Sequence, residues 1–302
     1  MRPAFSVIFL TTLIGGGQGL FVWAYLTSLV ASAEKLSSSF LIVAGVVTMV
    51  LLALGLVASF FHLGHPERAW RAVTRWRTSW LSREVIALPL FGATVFFWTI
   101  AIWQQSPSAP TIGAVALVLA FVLYVCTGMI YAAVKILREW SHPLTVANFI
   151  VIGLASGSIL ATLLAQWLAP AVAAPLRTLA MWLLAVAAIM RGYAMWRNAH
   201  LPPWKSARAI GVHHQRVQQR SQGAMGGSFN TREFFHGQSE EVVERVRWAA
   251  LGGGFALPWL LLALGAPALL ALLIHYLGLL AERWYFFAEA KHPQNLYYQT
   301  VG

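Results

Sequence analysis

Aspartate is absent from this 302-residue chain, so all ten acidic residues are glutamate. Charge of either sign is scarce: Asp, Glu, Lys and Arg together make up 10% of the residues, against about 25% in soluble domains. A chain so poor in charge, and 59% apolar, cannot cover a water-facing surface. The soluble globular classes are thereby excluded and a polytopic membrane protein is expected. A single cysteine, Cys126, rules out an internal disulfide and a cysteine-held cluster. Any iron–sulfur chemistry must therefore belong to a partner. The glycine runs at 15–17 and 252–254 follow no strand, which excludes phosphate loops. They read instead as places where helices approach closely.

What the chain does have is long apolar runs, with a mean hydropathy of +0.67. A spanning helix needs about 20 apolar residues. Eight segments meet that description, at roughly 5–32, 39–62, 84–104, 112–134, 146–168, 176–196, 247–264 and 266–288. The first is too long for the apolar region of a secretory signal and is read as a span. The expected fold is all-α, a single integral membrane domain of eight transmembrane helices over 1–302, with one long polar loop at 197–246. An even number of spans puts both termini on one side, here termed side A. Of the 21 Lys and Arg residues, 19 fall on side A, and only Lys35 and Arg177 on side B. Positive charge is retained on the cytoplasmic face, so side A is expected to be cytoplasmic, in the cytoplasmic (inner) membrane of a bacterium. The net charge of +11 follows from this asymmetry. It points to anionic lipid head groups and an acidic protein surface, not to nucleic acid.

The stretch FHLGHPERAWRAVTRWRTSWLSRE at 61–84 is the main anomaly. Its arginines and Trp70, Trp76 and Trp80 suit an interfacial belt. His62 and Glu84 fit that reading less well, since ionisable groups at an apolar boundary are costly and usually face a cavity or a partner. The alternative is a pocket at the side A surface where His and Glu move protons and Arg polarises a carbonyl oxygen. A membrane-soluble substrate that takes up two protons with two electrons is a quinone. Arg83 should point away from Glu84, because adjacent helical residues do not face each other. Arg68 or His62 is the expected partner of that carboxylate.

Other polar groups have simpler readings. Arg138–Glu139 is expected as an interfacial pair, and His142-Pro143 as a turn into span 5 that could add to the same pocket. Arg191 is read as snorkelling to the interface, and Glu282-Arg283 as interfacial. His275 is the one histidine clearly mid-span. A membrane haem commonly takes two axial histidines, so no haem is expected in this chain.

Four stretches carry a family resemblance: MRPAFSVIFLTTLIGGGQGL at the start, ASFFHLGHPERAWRAVTRWRTSWLSREV at 58–85, TGMIYAAVKILREWSHPLTVANF at 127–149 and QGAMGGSFNTREFFHG at 222–237. The chain resembles the anchor subunits of the dimethyl sulfoxide reductase type. These are eight-span membrane subunits of molybdenum enzymes, assembled with an iron–sulfur subunit and a molybdopterin catalytic subunit. The first and fourth stretches look most like the anchor of membrane-bound sulfite-oxidising enzymes. The resemblance implies an anchor without haem or cluster that exchanges electrons between the partner's iron–sulfur clusters and a quinone, ubiquinone or menaquinone. It places the quinone site at His62, Gly64, Arg68 and Glu84; His65, which the family does not require, and Trp80, Arg83 and His142 are further candidates from the reading of the residues. Sulfite oxidation with quinone reduction is the expected direction. A quinol-oxidising anchor of an S- or N-oxide reductase is the alternative. From other classes, a transporter and a passive scaffold remain. A transporter would favour broken helices and polar midplane sites, whereas the polar groups here gather at one surface.

Overall fold

The structure is a computed structural model, described for residues 1–32, 36–61, 63–204 and 235–293, with the Pro66 side chain outside the description. Among the described residues, eight helices are long and apolar enough to cross a membrane: α1 (Phe5–Val30), α2 (Ser38–Phe60), α3 (Trp80–Trp103), α4 (Ala109–Ala132), α5 (Pro143–Leu168), α6 (Pro170–Ala199), α7 (Glu240–Ala263) and α8 (Ala268–Ala288). Among the described residues there is no strand. A short exposed 3₁₀ helix, Pro66–Arg75, lies between α2 and α3.

Helix starts follow elementary capping chemistry. The side chains of Ser37, Ser79 and Ser239 accept amide hydrogen bonds at the entries to α2, α3 and α7. The imidazole of His142 does the same for α5, with Pro143 in the first helical turn. At side A, α3, α5, α6 and α7 run past their apolar segments into polar sequence, because a helix does not stop where the hydrocarbon does. The connection expected at 169–175 is absent: α5 and α6 meet at Ala169, and Pro175 lies inside α6. A proline in an apolar helix can be accommodated when other groups satisfy the freed carbonyl.

α1 and α5 form the centre and are the most buried spans. Gly15 and Gly19 face Gly153 and Gly157 across them. A Cβ on Gly157 would stand 2.0 Å from the Gly19 carbonyl carbon, so the backbones touch where any side chain would part them. A second close crossing joins α7 to α8, where a Cβ on Gly278 would stand 2.0 Å from the Gly254 nitrogen. There α7 contains a π turn over Gly252–Ala256. Pro258 lacks the amide that would bond the Gly254 carbonyl four residues earlier. His275 fills that gap, its Nδ1 donating to Gly254 O at 2.6 Å, while Nε2 meets Ser156 Oγ at 2.8 Å. The mid-span histidine thus pins α5, α7 and α8 together.

Outward surfaces are apolar, and Trp103 and Trp167 are exposed at the side B ends of α3 and α5, the usual depth for amphipathic rings. The Met1 nitrogen donates to the Ala290 carbonyl at 2.9 Å. That bond puts the start of α1 and the end of α8 on one face, as an even number of spans requires.

Candidate functional site

Glu84 stands four residues into α3, about 6 Å of helical rise from its side A end. Ser79 caps the helix and sets its register. In that register Glu84 turns inward and is 8% exposed. Its partner is Thr127 on α4, whose Oγ1 donates to Glu84 Oε1 at 2.5 Å.

Both residues line a small internal cavity, with about 20 Å³ of free space, between α1, α3, α4, α5 and α8. The polar contributors are Thr11, Thr12, Gln18, Glu84, Tyr124, Thr127, Ser156 and Arg283; Leu10, Ile14, Phe149, Ile152 and Leu279 form apolar walls. Gln18 Nε2 donates to Ala120 O at 2.8 Å and Tyr124 Oη to Gly15 O at 2.7 Å, so α1 and α4 are tied at the cavity floor. Gln18 and Ser156 are each thirteen residues from the side A ends of their helices, about 20 Å of rise. The cavity therefore reaches from a shallow depth to the middle of the membrane. Apolar walls with a few convergent polar groups are the usual make-up of a small-molecule site. The lining is chemically suited to a flat apolar molecule bearing carbonyl oxygens and sets an acid–base group beside it, but the free space is that of about one water, so a ring enters only if the surrounding side chains part.

The remaining candidates are distributed differently. His62 lies outside the described residues. Gly64 is exposed, and a Cβ there would meet nothing within 4 Å. His65 and Arg68 are exposed and both turn to Glu67, at 3.1 and 3.5 Å. Arg68 therefore does not partner Glu84. Its guanidinium is drawn to the adjacent carboxylate on the same short helix. Arg83 points away from Glu84, as expected. It donates to the carbonyls of Trp76 and Arg77, both at 2.9 Å, and stacks on Trp80 at 4.1 Å. It closes the loop onto the start of α3. His142 caps α5 and lines a separate cavity. Burial, then the nearby Arg197, pushes its imidazole below the ordinary range.

That second cavity, with about 10 Å³ of free space, lies at the side A end of α5, α6 and α8. It holds charges that the sequence suggested were interfacial. Arg191 and Arg283 are 2% and 3% exposed, and Glu282 is fully buried. Arg191 pairs with Glu282 at 2.6 Å and with Glu289 at 2.9 Å, while Glu282 Oε2 meets Arg283 Nε at 2.5 Å. Two arginines and two glutamates cancel, which permits their burial. Snorkelling is not needed for Arg191, because its counter-charges are supplied from α8 and the residue just beyond it. The expected Arg138–Glu139 pair also gives way. Arg138 donates to Pro202 O at 2.5 Å and covers Trp204 at 4.2 Å. Glu139 turns into the second cavity, where burial pushes its carboxyl above the ordinary range.

Comparison with known proteins supplies the family. The profile of the DMSO reductase anchor subunit (DmsC) family matches residues 1–205. The sequence is also 47% identical over 325 aligned residues, covering 100% of both proteins, to the C subunit of the sulfite dehydrogenase of Allochromatium vinosum. The chain belongs to the DMSO reductase anchor subunit family. Two further members match over shorter stretches. The C component of the anaerobic dimethyl sulfoxide reductase of Haemophilus influenzae is 30% identical over 105 residues, 34% of this protein and 38% of that one. The YnfH component of an anaerobic dimethyl sulfoxide reductase of Escherichia coli is 30% identical over 116 residues, 37% and 40%. Membership makes the protein a membrane anchor subunit, and the eight apolar helices agree with that.

Thr127, Tyr124, Gln18, Ser156 and Arg283 line the site without standing out as site residues in the sequence. One signal is available: Gln18 interrupts an apolar run, and a polar group inside a span usually faces a cavity or a partner.

Proposed function

We propose that the protein is the quinone-reactive membrane anchor of a complex with an iron–sulfur subunit and a molybdopterin catalytic subunit, and that the complex oxidises sulfite. Electrons pass from the molybdenum site through the partner's clusters to a quinone in the Glu84 cavity. Two electrons and two protons convert one quinone to one quinol. Glu84 holds a proton against a quinone oxygen, with Thr127 orienting the carboxyl, and the apolar walls hold the ring. The protein itself holds no haem. Partner subunits dock on side A, in the cytoplasm of a bacterium, where the arginines of the 66–75 helix lie; the long polar loop expected to join them falls mostly outside the described residues.

The observation that carries this reading is a buried carboxylate at the wall of an apolar cavity within a redox anchor family. Full-length similarity to a sulfite dehydrogenase subunit favours sulfite as the electron source. The shorter matches to dimethyl sulfoxide reductase components support the reverse direction, quinol oxidation, as the second reading.

Glu84→Gln tests it, since the change keeps size and removes the titratable proton. The variant complex should assemble and keep its turnover with an artificial acceptor served by the partner subunits. Turnover with quinone should fall by about 10²-fold or more, the usual weight of acid–base help. Quinone turnover at the parental rate from pH 6 to pH 8 would exclude Glu84 as the proton donor.

A further inference from the structure

The two cavities share two residues, Phe149 and Arg283. The Arg283 guanidinium lies 4.2 Å from the Phe149 ring centre and 5.2 Å from that of Phe286. The partition between the cavities is therefore one cation resting on aromatic faces. On the side A flank, Glu139, His142, Arg197 and Asn198 form the rim, and Asn148, Arg191, Glu282 and Glu289 lie deeper.

Buried polar atoms normally have partners. Several along this cavity have no hydrogen-bond partner within the protein, among them Glu139 Oε2, Asn148 Oδ1, Arg191 Nη2 and Arg283 Nη1. They run from the rim, through the middle, to the junction with the Glu84 cavity. A cluster serving only to neutralise charge would turn these atoms onto one another. Spread along a cavity with space for about one water, they supply the two-to-four polar contacts that such a water requires.

We propose that protons taken up by quinone enter from side A through this second cavity, passing Glu139, His142, Asn148 and the Arg191–Glu282–Glu289 cluster, and cross at Arg283 to Glu84. The proposal rests on the reading that quinone is reduced in the Glu84 cavity. For each quinone, two electrons come from the partner's iron–sulfur cluster and two protons from water on side A. Glu84 gives a proton to a quinone oxygen and is reprotonated along this path. Arg283 stays charged throughout and is a positioning residue, holding Glu282 and the crossing point in place. The charged groups around the path are Arg191 and Arg197 from α6, Glu282 and Arg283 from α8, Glu289 and Lys291 beyond it, Arg138 and Glu139 from the loop before α5, and the Met1 amine, which interacts with Glu139, with Arg247 of α7 near Tyr285. α5 contributes only uncharged groups, Thr145 and Asn148, besides its capping His142. Arg191 and Arg283 are paired with Glu282 and Glu289, so the cluster at the crossing is neutral overall.

The test uses the complete complex with two substitutions that leave the buried ion pairs intact. Asn148→Leu keeps the size and removes the mid-path polar atoms. Glu139→Gln removes the titratable group at the rim. Turnover with a soluble quinone is measured in H₂O and D₂O beside Glu84→Gln. In each path variant kcat should fall about tenfold, with KM for quinone within about twofold of the parent and a larger solvent isotope effect, as expected when proton supply limits the rate. A purely structural role would not enlarge the isotope effect. Parental kcat in both path variants, with Glu84→Gln slow, would overturn the path and leave the quinone site standing. Parental kcat in Glu84→Gln would overturn the site reading and the path with it. If Asn148→Leu fails to assemble, Glu139→Gln decides alone.

Discussion

Glu84 shows how much a single residue can reveal by its position in a sequence. A carboxylate at the start of an apolar run is costly, and the fold places it at a cavity wall. Its hydrogen-bond partner was not legible, because Thr127 lies 43 residues away and an isolated threonine in a span looks like filler. Glu139 carries a separate prediction. Burial raises its carboxyl pKa above the ordinary value, so the folded state binds this proton more tightly than the unfolded chain does. Its contribution to stability is therefore full below the unfolded pKa and is lost as pH rises through the folded one. Glu139→Gln cannot lose a proton. The variant should melt above the parent at pH 8 in detergent, with the difference shrinking towards pH 5. A difference that grows on acidification would mean that the charged form is the one the fold favours. Arg191 and Glu282 mark the opposite limit. Each alone suggested an interfacial side chain, since nothing in the sequence pairs position 191 with position 282.

The elements were legible because a run of about 20 apolar residues in lipid has few options other than a helix. All eight emerged from hydropathy. Their ends did not, because serine caps and polar turns extend helices past the hydrocarbon, and because Pro175 reads as a breaker yet sits within α6. Helix pairing was partly legible. The glycine run at 15–17 pointed to a close contact, but the tightest approach on α1 is at Gly19, facing Gly157. The spacing Gly15-x-x-x-Gly19 against Gly153-x-x-x-Gly157 carried that signal. Gly157→Ala should therefore destabilise the protein by about 1–3 kcal/mol or more through overpacking. Gly192→Ala, where a Cβ meets nothing within 4 Å, should be neutral or stabilise by about 0.5–1 kcal/mol. Thermal unfolding of both in the same detergent checks this, and equal melting temperatures would mean that α1 and α5 are not in backbone contact.

For the whole molecule, the even number of spans implied that the chain begins and leaves its last span on one face, and the Met1–Ala290 bond agrees with that. The location of the site was less legible. The surface loop at 61–75 gathers the conspicuous residues, whereas the structure gives the enclosed space to Glu84 and to helices far apart in sequence. Arginines from this loop to the start of α3 stack on neighbouring tryptophans: Arg71 on Trp70, Arg77 on Trp76 and Arg83 on Trp80. The central claim is that quinone binds within the helix bundle, and labelling tests it most directly. The intact complex would be illuminated with a photoreactive quinone, then digested and sequenced by mass spectrometry. Adducts should appear within 10–18, 124–127 or 149–156, and excess unmodified quinone should suppress them. Suppressible adducts confined to 61–75, with none in those three segments, would contradict the account and return the site to the surface loop.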